Sequence, residues 1–357
     1  MNNIYKNRIL KIKEKAKESQ ILNYFVTKPE NKHYISGFSS SNYFILLTEE
    51  KDYLLTDFRY LEAAKSLGEI FEIVKIDNIF TTIDFLSSLK IDSIALEYKD
   101  ITYDFYKEIK SKSNISQLIS GDNTIEGIRV IKEPEELEKI AIAAEIANQG
   151  FIHILDFIKP GITEKQIALE MEFYLRKNGA DALSFDTIIA SGINGSMPHA
   201  IPSDKMVEKG DLVTMDFGAM YDSYCSDMTR TIGVGQIDNL QRDVYNIVLN
   251  AQEKALASVK VGAKSSSIDK IARDIISEAG YAEYFGHGLG HGVGLEIHEA
   301  PTLNSGSAEI LMANMLVTIE PGIYIPNSFG VRIEDLAIIG ESDIIVLSKI
   351  DKKLIII

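Results

Sequence analysis

Two stretches of the chain, KPGITEKQIALEMEFYLRKNG at 159–179 and KVGAKSSSIDKIARDIISEAG at 260–280, superpose without a gap at an offset of 101 residues. The leading lysine, both glycines and the pair Ile167/Ile268 coincide. Each copy reads as a second helix after an earlier helical stretch, and strand-like runs follow each. The first opens on a Thr163/Gln166 capping box and stops at Asn178-Gly179. Four identities in 21 positions lie within the reach of chance for two similar helices. The order helix, helix, strands occurring twice favours an internal duplication. This constrains the fold more than any other feature: an α+β domain of two similar halves, related by a pseudo-two-fold, with its site between them.

Acidic residues are arranged around the turns of both halves. In LVTMDFGAMYDSYCSDMTRTIGV, Asp216 and Asp227 are equidistant from a turn centred between Tyr221 and Asp222, so a simple hairpin sets them directly opposite each other. In TIEPGIYIPNSFGVRIEDLAII, Glu320 and Glu334 are equidistant from Asn327. Opposed side chains lie roughly 5 Å apart at Cβ, and like charges there are destabilising unless neutralised. One such symmetry is readily accidental; two favour inward-facing acids held by one or more divalent cations, for which carboxylates are hard oxygen ligands able to bridge. The stretch GHGLGHGVGLEIHEAP at 286–301 offers His287, His291 and His298, which would add nitrogen affinity for a transition metal. It contains no G-x-G-x-x-G, no P-loop and no H-E-x-x-H, because His298-Glu299 is followed by Ala300-Pro301-Thr302. Its glycines at 288, 290 and 292 disfavour a helix and let backbone pack close beside a metal centre.

A chain of 357 residues exceeds one comfortable domain. In the first third, YFILLT and YLLT flank the turn EEKD, and IFEIVKI and DSIALE follow with helical segments between them, which reads as a small α/β domain. The pattern breaks around SGDNTIEGIRVIKEPEE, and a helix starts at Pro134 with Leu137, Ile140, Ala144 and Ala147 on one face. The expected domains are 1–122 and 123–357. With 37 basic against 52 acidic residues, the net charge of −15 argues against nucleic acid or an anionic membrane as partner. No apolar run approaches the roughly 20 residues of a membrane span. The opening MNNIYKNRILKIKEKAKESQ lacks the apolar centre of a signal peptide, so a cytoplasmic location is expected. The single cysteine, Cys225, excludes an internal disulfide and a cysteine-based zinc site; it reads as a buried strand residue rather than a nucleophile.

Five elements, MPHA, MDFGAMYDSYCSDMTRT, GHGLGHGVGLEIHE, IEPGIY and VRIED, together resemble the Xaa-Pro aminopeptidase and prolidase group of the pita-bread metallopeptidases. The stretch NKHYISGFSSSNYFILLTEEKDYLLTDFRYLEAA is similar to that group's creatinase/prolidase-like non-catalytic domain, so the resemblance covers roughly the whole chain. It implies an α/β N-terminal domain followed by an α+β pita-bread catalytic domain. It also implies two divalent ions per subunit, manganese first, with cobalt or zinc as alternatives. Asp216, Asp227 as the bridging carboxylate, His291, Glu320 and Glu334 are the implied ligands, and none of the family set is missing. A metal-bridged hydroxide would attack the scissile carbonyl, with Glu320 also accepting a proton. His199 and His298 would hydrogen-bond the carbonyl and its oxyanion. Arg332, on the same face as Glu334, would hold a carboxylate ligand in place; its other reading is a surface ion pair. Tyr324 would line the pocket, Thr229 and Thr231 would bond ligand oxygens, and His287 would have a supporting role. His33 and His153 are left as structural residues.

The preference for proline in the second position comes from the resemblance alone. The bond before proline is a tertiary amide without an N–H. Prolidases confined to dipeptides often carry HEWPR, whose arginine would bind the free carboxylate. Here the text is HEAPT, with Thr302 at that place. The expected activity is therefore that of a Xaa-Pro aminopeptidase accepting longer peptides, with a Xaa-Pro dipeptidase (prolidase) as the alternative. A homodimer whose N-terminal domain helps enclose the cleft is expected with it. Methionine aminopeptidases share the five ligands but generally lack such an N-terminal domain. Creatinase-like hydrolases work without metals, and non-catalytic binding modules of this fold have usually lost ligands.

Overall fold

The computed structural model describes residues 2–357, with side chains from residue 3 onward. Two compact units are present, one ending at Arg129 and one formed by Val130–Ile357.

The first unit is built on a six-stranded sheet in the order Glu72–Lys75, Tyr53–Thr56, Tyr43–Leu47, Tyr24–Val26, Ser93–Leu96, Gln117–Ser120. Tyr43–Leu47 runs antiparallel to both neighbours, while the outer pairings are parallel. Its central strands are continuous apolar runs because both faces are covered, and Phe25, Leu46, Leu55, Ile94 and Leu96 form a core with Ile83, Leu86 and Ile109. This is the expected α/β architecture. The unit extends past residue 122 to Arg129, because the short helix Glu126–Arg129 is tied into it. Arg129 Nη1 donates to Asn31 Oδ1 at 2.7 Å and Asn31 Nδ2 to Glu126 Oε1 at 2.9 Å.

The second unit consists of two halves, each opening with a helix pair: Pro134–Phe157 with Glu164–Lys177, then Asn239–Ser258 with Ser265–Glu278. The second helices of the pairs keep the offset of 101, and the glycines flanking them take the same left-handed turns: Gly161 and Gly262 at φ 92° and 82°, Gly179 and Gly280 at 109° and 87°. The capping box forms as read, with Gln166 N–H donating to Thr163 Oγ1 and Thr163 N–H to Gln166 Oε1. Each half has its own core. Phe151, Ile167, Met171 and Leu175 pack on Val213, Met215 and Phe217, while Val248, Ile268, Ala272 and Ile276 pack with Val317, Ile319 and Val331.

One sheet of this unit has the order Met228–Gly233, Leu212–Phe217, Ile188–Ser191; another has Leu316–Ile319, Asp335–Ile339, Ile344–Val346. The register of the first hairpin departs from the expected one. Asp222 and Ser223, at φ 46° and 71°, form the two-residue turn, with Tyr221 paired to Tyr224. The turn centre thus lies one residue later, and Asp216 stands opposite Thr229 instead of Asp227. In the second hairpin, Ile325↔Phe329, Gly322↔Arg332 and Ile319↔Asp335 share one register about Asn327. Glu320 and Glu334 occupy the interval between these two ladders, as the sequence spacing predicts. Cys225 is buried in the short strand Tyr224–Cys225. Among the described residues, no helix is long and apolar enough to cross a membrane.

Candidate active site

A cavity of about 450 Å³ in the second unit gathers residues from both halves. Asp216 comes from the strand Leu212–Phe217, and Asp227 from the residues before Met228–Gly233. Glu320 follows Leu316–Ile319, and Glu334 lies between Phe329–Arg332 and Asp335–Ile339. His291 is in the strand Gly290–Gly292, which is squeezed on both sides: a Cβ on Gly290 would lie 2.0 Å from the Thr318 carbonyl oxygen, and one on Gly292 2.2 Å from that of Ala300. Only glycine lets this strand bring an imidazole so near the acids.

One donor atom each from Asp227, His291 and Glu334 all lie within 4.8 Å of one another. His291 Nε2 is 3.6 Å from Asp227 Oδ2 and 3.4 Å from Glu320 Oε1. Its Nδ1 is 3.0 Å from the Gly292 carbonyl oxygen, so the proton belongs there and the Nε2 lone pair faces the carboxylates. Burial pushes this imidazole down to about 4, keeping it neutral. Burial likewise pushes Glu320 up to about 8. Burial, reinforced by the neighbouring acids, drives Asp227 and Glu334 well above the carboxylate range. Asp216 Oδ1 and Glu334 Oε1 are buried without a hydrogen-bond partner among the described residues. Hard oxygen donors, crowded acids and two orphaned buried oxygens fit divalent cations.

Arg332 is 3% exposed, which rules out the surface ion pair. Its Nη2 donates to Asp216 Oδ2 at 2.6 Å, Nε to Thr229 Oγ1 at 3.1 Å, and Nη1 to Tyr324 Oη at 2.8 Å and to the Pro198 carbonyl oxygen at 3.2 Å. The arginine thus holds Asp216, while Glu334 Oε2 receives its hydrogen bond from Thr229 at 2.8 Å. Since the guanidinium only donates, the Tyr324 hydroxyl gives its proton to His287 Nε2 at 3.0 Å, and His287 Nδ1–H donates to the Gly288 carbonyl. His287 is therefore a neutral prop for Tyr324. Thr231 differs from expectation: its hydroxyl bonds the Arg332 backbone and Thr214, not a carboxylate. His298 packs edge-on against His291 with ring centroids 4.4 Å apart, and both His298 and His199 line the cavity. Thr302 lies outside that lining, tied through its N–H and hydroxyl to Glu309.

Sequence reasoning passed over the buried charges behind this surface. Arg230 pairs with Asp335 at 2.8 Å, and Lys352 reaches the other Asp335 oxygen at 2.7 Å. Lys132 donates to Glu299, next to His298, at 3.0 Å. Arg230 as the one charged residue of the strand Met228–Gly233 is a signal for the first pair; nothing local marks Lys132.

Residues 138–341 match the metallopeptidase family M24, and residues 8–131 match the creatinase/prolidase N-terminal domain. The Xaa-Pro dipeptidase of Pyrococcus horikoshii is 40% identical over 355 residues, 99% of each chain. The solved Xaa-Pro dipeptidase from Bacillus anthracis superposes with a TM-score of 0.95 at 39% identity, covering 99% of this chain and 100% of that one. The X-Pro aminopeptidase from Thermotoga maritima gives 0.87 at 36% identity, covering 96% and 100%. With two duplicated halves closing on a cavity of acids and one imidazole, and with likeness running through both units, the chain belongs to metallopeptidase family M24 and is a metal-dependent hydrolase of pita-bread fold.

Proposed function

We propose that the protein is a Xaa-Pro dipeptidase, cleaving the bond between an N-terminal residue and a following proline. The observation that carries this is the likeness to Xaa-Pro dipeptidases along the whole chain, N-terminal unit included, at 39–40% identity. It outweighs the preference for longer peptides drawn from Thr302.

Asp216, Asp227, His291, Glu320 and Glu334 would hold two divalent ions, manganese first with cobalt or zinc as alternatives, which when bound supply Lewis-acid polarisation and an activated water. Around that centre the protein's own groups divide the work. A carboxylate beside the ions accepts a hydrogen bond from the substrate's free amine. Glu320 takes the proton released as the scissile carbonyl is attacked, and hands it to the departing proline nitrogen. His298 and His199 donate to the carbonyl oxygen as negative charge develops on it. Arg332 fixes Asp216, and Thr229 fixes Glu334, so that neither carboxylate reorients during the reaction. Because the bond lacks an N–H, recognition falls on the carbonyl, the amine and the proline ring.

The second reading, a Xaa-Pro aminopeptidase, is favoured by Thr302, which supplies no cation for a dipeptide's carboxylate, and by the likeness to the Thermotoga enzyme. Metal-reconstituted protein is to be incubated with Xaa-Pro, Xaa-Pro-Yaa and Xaa-Ala peptides while release of the first residue is followed. A kcat/KM at least tenfold higher for Xaa-Pro supports the dipeptidase. A preference for the tripeptide supports the aminopeptidase, and equal rates on Xaa-Ala refute proline specificity. A homodimer is proposed alongside, and a monomer in sedimentation equilibrium would refute it.

A further inference from the structure

The His199 imidazole is exposed at the cavity and makes no hydrogen bond with another described residue, so its position is that of its backbone. That backbone belongs to a segment that leaves the strand Ile188–Ser191 and returns to the bridge at Met206. Beneath it lies Glu164, the first residue of its helix and completely buried. One Glu164 oxygen accepts the Ser191 N–H at 2.7 Å and the Ser191 hydroxyl at 2.8 Å. The other accepts the Ser203 N–H at 3.0 Å and the Ser203 hydroxyl at 2.6 Å. Asn194 Nδ2 reaches both oxygens, at 3.1 and 3.0 Å. The serine protons are committed to the carboxylate, because Lys205 Nζ donates to Ser191 Oγ and the Lys205 N–H to Ser203 Oγ. Only a group that accepts at both oxygens satisfies this set of donors.

We propose that Glu164 is a positioning residue for His199. Its carboxylate ties the two feet of the 191–203 segment together, and the crest is fixed from the other side. There, Arg332 Nη1 bonds the Pro198 carbonyl at 3.2 Å, and the backbones of Gly195 and Gly330 touch so closely that a Cβ on Gly330 would lie 2.0 Å from the Gly195 oxygen. The second half uses a related device one turn further along its helix. Buried Asp269 accepts from Arg273 and from the Leu289 N–H, and Arg273 donates to the Phe285 and His287 carbonyls. In both halves a buried acid on the second helix therefore anchors a histidine-bearing segment. The inference rests on the reading of His199 as a donor to the substrate carbonyl.

The test is Glu164→Gln made in the wild type and in His199→Ala, with kcat and KM for a Xaa-Pro dipeptide, metal content by elemental analysis, and limited proteolysis by subtilisin. Glu164→Gln should lower kcat roughly 10²-fold, the scale of a 1 Å misplacement, with metal content unchanged. Cleavage within residues 192–205 should accelerate. In the His199→Ala background the same substitution should cost no more than about 2-fold, because the group it positions is gone. Equal losses in both backgrounds would overturn the proposal while leaving the role of His199 intact. A His199→Ala enzyme with full kcat would overturn that role, and the proposal with it. If Glu164→Gln does not fold, Ser203→Ala removes one of the donors; a kcat loss confined to the His199-containing background supports the proposal, and one of equal size in both refutes it.

Discussion

Replacing Thr229 by valine removes one hydroxyl and keeps the shape of the side chain. That hydroxyl is completely buried and carries a single proton. Arg332 Nε–H, at 3.1 Å, only donates, so the Thr229 proton goes to Glu334 Oε2 at 2.8 Å. Thr229→Val leaves two buried polar partners each short of one bond. A buried polar group left unmet costs about 1–3 kcal/mol, so the pair together costs about 2–6 kcal/mol. For a unit of this size each kcal/mol moves Tm by roughly 2–4 °C, which makes a fall of at least ~4 °C the expected outcome. Glu334 is already pushed well above the carboxylate range by burial and then by Glu320 and Asp216, and the Thr229 bond is one of the interactions that lower it. Without that bond a proton competes better with a cation, and the affinity for Mn²⁺ should drop about 10–100-fold. Calorimetric titration of Mn²⁺ into metal-free protein at pH 7, paired with scanning calorimetry of the same samples, reads both effects. Wild-type affinity together with wild-type Tm would refute the reasoning; a lower Tm with unchanged affinity would confine Thr229 to packing.

The crowded acids also set a pH dependence. Burial comes first among the causes that raise Asp227, Glu320 and Glu334, and Glu320 moves from 4.5 to about 8. Folded values above unfolded ones mean that the metal-free folded chain binds the extra protons, so the contribution of Glu320 to its stability is full below pH 4.5 and is lost as pH rises towards 8, and Asp227 and Glu334 act in the same direction. Tm in chelator should fall from pH 5 to pH 8 while the stabilisation by Mn²⁺ widens over that interval; a flat Tm would show that these acids are not held protonated. Asp227→Asn should lower bound metal, measured by elemental analysis, as well as rate, and an unchanged metal content would remove Asp227 from the ligand set. His298→Ala should lower kcat roughly 10²-fold with metal retained; a loss of metal instead would put His298 among the ligands.

What the sequence made legible follows physical scale. The duplication was readable because glycines at Gly161, Gly179, Gly262 and Gly280 mark left-handed turns that few other residues accept. The second hairpin was readable because its centre is a single asparagine, Asn327, itself at φ 57°. The first hairpin turns one residue later than its spacing suggests, and its turn, Asp222-Ser223, holds no glycine to mark it, with a tyrosine on either side. The first unit runs past the polar stretch after Ser120, which looks like a linker in the sequence, because Arg129 bonds the distant Asn31. Glu164 was out of reach for a different reason. An acid at a helix start is ordinarily explained by the macrodipole alone, and its five donors come from residues 27 to 39 positions away.

Because the cavity draws Asp216 and Asp227 from one half and His291, Glu320 and Glu334 from the other, the full set of acids and imidazole comes together only when both halves are in place. The contact from Arg332 to Asp216 spans 116 residues, and closing so long a loop is entropically unfavourable until much else is in place. During synthesis, Asp216 and Asp227 leave the ribosome long before Glu334 exists to complete the set. A cation that needs donors from both halves can bind only once they have joined, so uptake of metal during refolding should serve as a clock for that step.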